Sequence, residues 1–307
     1  MAAQRQPAAA AGSRRSGACV AGADAGPVRR PRPQRAQLRG VSDPVAAVAE
    51  ASATGETAAI FADIRAVYGV GVVNLIWRHL ATFPGALPWA WGTVRPLYVD
   101  GRIAREAAAV RAARRLPLVP ALPPEVLAAA GLGRADQAQI TAVLDAYERT
   151  NPMALVALAV LQQALDGGIG NPLPAGPAVP PEAAIPLPPL LRLEAMAPET
   201  AALVLRLNGL GAGPEPILAS MYRTLAHWPP YLALAWTLLA PLEGLPAAIA
   251  EVLALAQSRA AGLHPAAAVP LPTAQRPAVR AAIDRFSGDA IARMVVLCGT
   301  LRGAMPA

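Results

Sequence analysis

The stretch Asn74–Leu97 reads NLIWRHLATFPGALPWAWGTVRPL, and the chain contains a second version of it. Residues 219–242 read ASMYRTLAHWPPYLALAWTLLAPL and align with it without a gap at an offset of 145 residues. Nine positions are identical, including the rare tryptophan pair Trp91 and Trp236. A period this long does not suit a solenoid unit, so it indicates a duplicated domain. Two such copies are expected to share a buried face about a pseudo-twofold axis, as an isologous dimer does.

Composition and periodicity predict an all-α protein. Alanine, leucine and arginine, which favour helices, are abundant, whereas β-branched and aromatic residues are scarce. The alternation of apolar and polar residues that is typical of strands does not occur between the turn signals. With 307 residues, the chain can form cores that need no disulfide or metal. We therefore expect two tandem helical repeats, related by a pseudo-twofold axis and joined by a Pro-rich linker.

The chain divides into four predicted segments. Residues 1–40 are rich in Ala, Arg and Pro and have no apolar periodicity, so we predict a disordered tail. Residues 41–166 are predicted to form the N-terminal helical repeat. Residues 167–197 are dense in Pro and Gly, which predicts a linker in a partly extended conformation. Residues 198–307 are predicted to form the C-terminal repeat.

The net charge of +7 belongs to the predicted tail, because residues 1–40 hold eight arginines and one acid. The rest of the chain is neutral, which gives no support for a nucleic-acid surface. No apolar run is long enough to predict a membrane span. The two cysteines, Cys19 and Cys298, are too far apart to indicate a disulfide framework or a metal site. We expect a cytoplasmic protein without a metal or organic cofactor. Whether two copies form a homodimer stays an open question.

One order of motifs runs through both halves. A helix and a glycine break precede the Val73–Pro84 motif VN-x-IWR-x-LA-x-FP and a Trp-containing helix. The turn Tyr147-x-x-x-Asn151-Pro152, the Pro-rich linker and the second copy S-x-YR-x-LA-x-WP follow. Over about residues 55–303 this order resembles the group I 2-haloacid dehalogenases. The resemblance implies an all-α fold of two pseudo-symmetric halves with the active site between them.

The resemblance also implies a reaction. Family members hydrolyse the carbon–halogen bond of short 2-haloacids of either hand. An aspartate activates a water molecule for direct attack at C2, with inversion and without an ester intermediate, and an asparagine helps to hold that water. Carried onto this chain, the resemblance implies catalytic roles for Asn151 and Ser220, and substrate-binding roles for Asn74, Trp77, Met221 and Tyr222.

Met221 occupies the position at which the resemblance implies the aspartate. A thioether sulfur is only a weak acceptor and cannot remove a proton from water. Three interpretations stay open. Another acid such as Glu215 enters the site, or the cavity supports a different chemistry with His227, seven residues after Ser220, as its base. The third is a non-catalytic protein of the same fold that binds a small acid.

The duplicated arginines Arg78 and Arg223 allow two interpretations. Arginine grips carboxylates through two parallel hydrogen bonds, so the pair could clamp an acidic substrate. Because the pair is symmetric, it could instead fix the interface between the repeats. In that case the partners would be the duplicated acids Asp145 and Asp284.

Overall fold

Helices form the regular secondary structure in a computed structural model that describes residues 45–167, 174, 176–180, 186–264 and 269–306. Across these residues the chain forms α-helices, short 3-10 helices and a π-helical turn, and no strand. The predicted all-α class is therefore confirmed. The described residues belong to one compact unit. The predicted tail, residues 1–40, lies outside them, as does much of the predicted linker.

The first half of the described chain supplies the first six α-helices. A 3-10 turn, Glu50–Ser52, precedes them. They are α1 (Gly55–Tyr68), α2 (Leu75–Leu80), α3 (Ala86–Val99), α4 (Arg102–Ala113), α5 (Pro124–Ala129) and α6 (Arg134–Leu165).

The second half supplies the other six α-helices. A 3-10 turn, Leu193–Ala195, again comes first, and another, Thr273–Gln275, precedes α11. A π-helical turn, Phe286–Ile291, joins α11 to α12. Within the described ranges, no helix is both long and apolar enough to cross a membrane. The helices are α7 (Pro198–Asn208), α8 (Ser220–Leu225), α9 (Pro229–Leu239), α10 (Leu245–Ala260), α11 (Arg276–Arg285) and α12 (Ala292–Ala304).

Helix starts in the two halves recur at a nearly constant interval. Helices α1 and α7 begin 143 residues apart, α2 and α8 145, and α6 and α11 142. The pairs α3 with α9 and α4 with α10 each begin 143 residues apart. Helices α2 and α8 also have the same length of six residues. A tandem duplication predicts such a constant interval. The duplication itself and its pseudo-twofold axis remain our interpretation.

The long helix α6 runs through the core and packs against α3, α4, α8, α10, α11 and α12. In the sequence, Thr150-Asn151-Pro152 interrupts the helical pattern and predicts two separate helices, but this prediction is wrong because α6 continues through Pro152. A proline inside a helix removes a backbone hydrogen bond and costs about 3 kcal/mol. Every residue from 150 to 161 is buried. Because one buried Leu or Val contributes about 1.5–3 kcal/mol, packing of this apolar run outweighs the proline.

Ser42 and Asp43 before Pro44 are typical of a helix start and predict a helix over residues 44–53, but residues 45–49 are not helical. Instead, the backbone N–H of Val48 donates to the carbonyl of Arg78 in α2 at 3.0 Å, and Val45 is buried. The described end of the predicted linker, residues 186–192, has no regular structure. It lies against the helices, and the 3-10 turn that follows buries Leu193. The segment before the first half therefore contacts α2, and the segment before the second half contacts α8, where Arg223 Nε donates to the carbonyl of Leu191.

Candidate active site

A cavity of about 80 Å³ lies where the two copies of the duplicated stretch meet α6. Residues 72–76 of the first copy and 217–221 of the second both line it, and these two segments correspond position by position at the offset of 145. Equivalent segments of the two copies therefore line the same cavity. The described lining consists of Val70, Val72, Val73, Asn74, Leu75, Ile76, Ala146, Tyr147, Thr150, Asn151, Leu187, Leu190, Ile217, Leu218, Ala219, Ser220, Met221, Phe286, Ala290, Ile291 and Met294.

Three of the polar lining residues come from three different helices or their caps. Asn74 immediately precedes α2 and makes no capping hydrogen bond with its side chain, Asn151 lies in the middle of α6, and Ser220 is the first residue of α8. Asn151 is only 7% exposed, and its Nδ2 has no hydrogen-bond partner among the described residues. A buried amide donor without a partner costs about 1–3 kcal/mol. Such a group in a cavity wall is suited to hold a bound molecule.

The remaining polar lining groups are already engaged. Thr150 Oγ1 donates to the carbonyl of Ala146 at 2.8 Å. The Tyr147 hydroxyl is 3.1 Å from Thr224 Oγ1. Burial raises the pKa of Tyr147 to about 12, although the hydrogen bond to Thr224 opposes this shift. Tyr147 is therefore a neutral hydrogen-bonding group at physiological pH and not a base.

The wall contains no acid and no histidine among the residues that the structure describes there. Met221 lines the cavity with 1% of its surface exposed, at the position that the resemblance assigns to an aspartate. Most other lining side chains are aliphatic, so a charged solute would enter a weakly polar environment. On its own, this described wall can bind and orient a small molecule, but it cannot accept a proton readily.

Trp77 and Tyr222, predicted to bind substrate, do not line the cavity. Trp77 is completely buried, packs edge to face on Trp91 with ring centroids 5.6 Å apart, and donates from Nε1 to the Tyr68 hydroxyl at 3.3 Å. Tyr222 is also completely buried, and burial raises its pKa. Each follows a lining residue directly, and a helix turns by about 100° per residue. The next side chain therefore enters the core.

The two alternative bases also lie away from the cavity wall. Glu215 is exposed and is not among the lining residues. The spacing of seven residues predicts that Ser220 and His227 share one helix face, but this prediction is wrong because α8 ends at Leu225. His227 is exposed, with Nε2 2.9 Å from the carbonyl oxygen of Pro189. Residues 214–219, which begin with Pro214, have no regular structure, and α8 begins only at Ser220.

The π-helical turn and the linker contribute lining residues that the sequence reasoning missed. Phe286, Ala290 and Ile291 come from the turn, and Leu187 and Leu190 come from the linker. π-Helical turns often occur at functional sites, but Gly288 inside a helical pattern was the only signal for this one. The position of the linker depends on tertiary packing, which composition does not reveal.

An acid beside this wall has a structural role. Asp289, in the π-helical turn, accepts from the backbone N–H of Ile217 through Oδ2 at 2.9 Å. Its Oδ1 is 3.9 Å from Nη2 of Arg293, which is completely buried. Arg293 Nη2 also lies 3.4 Å from the carbonyl of Ile217. Asp289 and Arg293 thus hold the segment before α8 against the start of α12.

Comparison with known proteins gives one sequence relative. Over 188 residues the chain is 32% identical to a "2-haloacid dehalogenase, configuration-inverting" from Alcaligenes xylosoxydans xylosoxydans. The match covers 58% of this chain and 62% of that relative, so it spans less than two thirds of the relative's length. No family model matches the chain.

Solved structures show the same fold. A D-2-haloacid dehalogenase in complex with L-LA superposes with a TM-score of 0.73 at 20% identity, covering 85% of this chain and 96% of that one. A mutant of D-2-haloacid dehalogenase with D-2-CPA gives a TM-score of 0.70 at the same identity and coverage. The sequence and fold similarities together confirm the resemblance to the group I 2-haloacid dehalogenases. The roles assigned to individual cavity residues stay predictions.

Proposed function

We propose that this relative of the 2-haloacid dehalogenases hydrolyses the carbon–halogen bond of a short 2-haloacid. In the proposed reaction, a water oxygen attacks C2 from the face opposite the halogen. The new carbon–oxygen bond forms as the carbon–halogen bond breaks, and the bonding pair leaves with the halide. The water also loses a proton, so the products are a 2-hydroxyacid of inverted configuration, a halide ion and a proton.

The observation that supports this proposal most directly is the unpartnered amide of Asn151 in a small, mostly apolar cavity. One water needs at least about 10–15 Å³, so 80 Å³ has room for roughly five to eight atoms of that size. A 2-halopropionate, with six non-hydrogen atoms, is in this range. Aliphatic walls suit its methyl group and halogen, and a few polar groups suffice to orient it.

Each polar residue has a proposed task. The side-chain oxygen of Asn151 accepts a hydrogen bond from the attacking water, while its Nδ2 donates to the substrate. Ser220 donates its hydroxyl hydrogen to the substrate carboxylate, and Asn74 donates an amide hydrogen to the same carboxylate. A general base typically contributes about 10²–10⁴ in rate. With methionine at position 221, we expect turnover to be lower by about that factor than in a site with an aspartate there.

The test is halide release from racemic 2-chloropropionate by the purified full chain, with chiral analysis of the 2-hydroxypropionate formed. We expect slow release with inversion, and loss of release in Asn151→Ala. The Arg115→Gln variant serves as a control. The Arg115 side chain is 88% exposed, and its ion pair with Glu251 is long, at 4.0 Å, so its loss should have little effect on the fold. Absence of release above the buffer rate would refute the catalytic proposal.

A second candidate function is non-catalytic binding of a small carboxylic acid. The absence of a carboxylate from the described lining of the cavity favours this function, because such a cavity can bind an acid without activating a water for attack on it. This function predicts saturable binding of both 2-chloropropionate and propionate by calorimetry, without halide release. Halide release that disappears in Asn151→Ala would reject this second function.

The proposal includes a cytoplasmic location and a small carboxylic acid as the partner. Cell fractionation with an antibody against the protein tests the location. Light scattering during size-exclusion chromatography tests whether two copies form a homodimer.

A further inference from the structure

The part of the cavity wall that leads into α8 is a segment without regular structure. Ile217, Leu218 and Ala219 line the cavity and are all buried. They come directly before Ser220, the first residue of α8. A buried backbone N–H or carbonyl outside a helix or a sheet needs another partner, because leaving it unpaired is unfavourable. Side chains from elsewhere in the fold can supply these partners.

Three polar side chains hydrogen-bond to the backbone of this segment. Oδ1 of Asn208, the last residue of α7, accepts from the N–H of Ala219 at 2.9 Å. Oδ2 of Asp289 accepts from the N–H of Ile217, and Arg293 Nη2 donates to the carbonyl of Ile217 at 3.4 Å. The three side chains come from α7, the π-helical turn and α12. We call them the Asn208–Asp289–Arg293 network.

Contacts among its members keep this network together. Arg293 donates from Nε to the carbonyl of Asp289 at 2.8 Å and from Nη1 to the carbonyl of Asn208. Arg293 is completely buried, and Asn208 is buried as well. Burial lowers the pKa of Arg293, while the negative charge of Asp289 opposes this shift. Because an arginine stays protonated at physiological pH, the buried guanidinium can donate to three carbonyls at once.

Helix α8 depends on the preceding segment for its position. It has only six residues, Ser220–Leu225, and helices this short are not stable on their own in water. Its start is therefore set by the residues before it and by its packing against α6, α7 and α9. Ser220, whose hydroxyl is proposed to donate to the substrate carboxylate, directly follows Ala219. A shift in the backbone contacts of this segment would move that hydroxyl.

The first half holds the equivalent segment with different chemistry. Arg65 aligns with Asn208 at the offset of 143 that relates α1 and α7. Its Nη1 donates to Oε2 of Glu50 at 2.7 Å, and Oε1 of Glu50 accepts from the N–H of Val73, which lines the cavity. The side chains of this pair are 36% and 27% exposed, whereas that of Arg293 is 0% exposed. Hydrogen bonds are stronger where water is excluded, so the wall before α8 is the more firmly held of the two.

We propose that Asn208, Asp289 and Arg293 are positioning residues for the proposed reaction, and that they act through Ser220. This inference deepens the proposed function and rests on it for the role of Ser220. The network fixes the backbone at the start of α8, so that the serine hydroxyl meets the substrate carboxylate while water attacks C2. Displacing a group that orients a substrate by about 1 Å can cost about 10²-fold in rate. Loss of the network should therefore weaken substrate binding and turnover in a protein that stays folded.

The experiment measures the binding of propionate to the full chain by calorimetry, because propionate offers a carboxylate to Ser220 and cannot react. The variants are Ser220→Ala, Asn208→Leu and the double variant. Ser220→Ala removes a hydrogen bond to a charged group, so it should raise the Kd about 10- to 100-fold. Asn208→Leu removes the acceptor for Ala219 and should raise the Kd by a similar factor. In the double variant the two effects should not multiply, because both act through the same hydroxyl.

Two further variants separate positioning from a general loss of stability. Asn208→Asp keeps an oxygen that can accept from Ala219, so it should bind propionate nearly as tightly as the wild type. Glu148→Gln weakens another largely buried ion pair, with Arg114, outside the described lining of the cavity. It should lower the melting temperature without changing the Kd for propionate. Thermal melts show which variants are folded, and Asp289→Ala takes the place of Asn208→Leu if the latter does not fold.

The same variants give a kinetic readout with 2-chloropropionate. Asn208→Leu and Ser220→Ala should lower kcat/KM for halide release to a similar degree, and the double variant should lower it no further. Effects on Kd that multiply in the double variant would overturn the proposal, as would wild-type affinity in folded Asn208→Leu or in Ser220→Ala. An equal loss of affinity in Glu148→Gln would also overturn it, because the cause would then be instability.

Propionate carries no halogen, so the binding result is independent of catalysis. If halide release is absent but Asn208→Leu and Ser220→Ala weaken propionate binding without multiplying, the proposed function is rejected and the positioning role stands. If release occurs but folded Asn208→Leu keeps the wild-type Kd and kcat/KM, the positioning role is rejected and the proposed function stands. A wild type that neither binds propionate nor releases halide rejects both.

Discussion

Replacing Met221 by aspartate should increase halide release, because it supplies the carboxylate that the described cavity wall lacks. Met221 lies in the first turn of α8, lines the cavity and is 1% exposed. Helix α8 packs against α6, which carries Asn151. A carboxylate at position 221 would therefore stand on the side of the cavity where Asn151 is expected to hold the water.

The size of the gain follows from the usual contribution of a general base. A factor of about 10²–10⁴ in kcat corresponds to a barrier lowered by about 3–5 kcal/mol. Burial opposes ionisation, so the pKa of the carboxyl introduced by Met221→Asp should lie above the ordinary aspartate value of about 3.9. The increase in rate should appear as the pH rises through this raised pKa.

The same shift predicts a loss of stability in the Met221→Asp variant. An acid with a raised pKa in the folded state binds more protons when folded than when unfolded. The free energy of unfolding therefore falls as the pH rises above about 4, by about 1.4 kcal/mol for each unit of pKa shift. Activity should increase over the pH range in which stability decreases, and denaturant titrations at several pH values check this relation.

The duplication offers a matched control, Ile76→Asp. Ile76 occupies the position equivalent to Met221, lines the same cavity and is also 1% exposed. It belongs to α2, which packs against α11. When Leu144-Asp145 is aligned with Ile283-Asp284, 139 residues later, the counterpart of Asn151 in the second half is Ala290, in the π-helical turn that follows α11. Halide release is measured for both variants and for Met221→Asn. Equal gains in Met221→Asp and Ile76→Asp, or no gain in a folded Met221→Asp protein, would refute this reasoning.

Three further variants test the structural assignments. Asn151→Leu should raise the free energy of unfolding by about 1 kcal/mol in urea titrations, because it removes an unpartnered buried amide, and should abolish halide release. Trp77→Phe should destabilise the fold by about 1–3 kcal/mol while leaving propionate affinity unchanged, because Trp77 belongs to the core and not to the cavity wall. Asp63→Asn should cost under about 1 kcal/mol at pH 7, since the carboxylate and Arg95 are partly exposed. Arg95 lowers the pKa of Asp63 below 3.8, so this cost should shrink as the pH falls below that value, and equal costs at pH 7 and pH 3 would contradict the assignment.

The sequence allowed the helical class to be predicted, because this class depends on composition and local periodicity. The continuity of α6 through Pro152 was not predictable from local rules, since packing of residues 150–161 decides it. Burial also removed Trp77 from the cavity, although the adjacent Ile76 lines it. The contribution of Leu187 depends on where the linker lies, and no short pattern encodes that.

Equivalent segments of the two copies, residues 72–76 and 217–221, line the cavity, whereas the polar groups beside them differ between the halves. Asn151 has no amide counterpart, because the residue that aligns with it 139 positions later is Ala290. Attack at C2 needs a water on one face of the substrate only, so the proposed displacement with inversion requires this difference between the halves. It follows that variants at positions 151 and 221 should alter turnover.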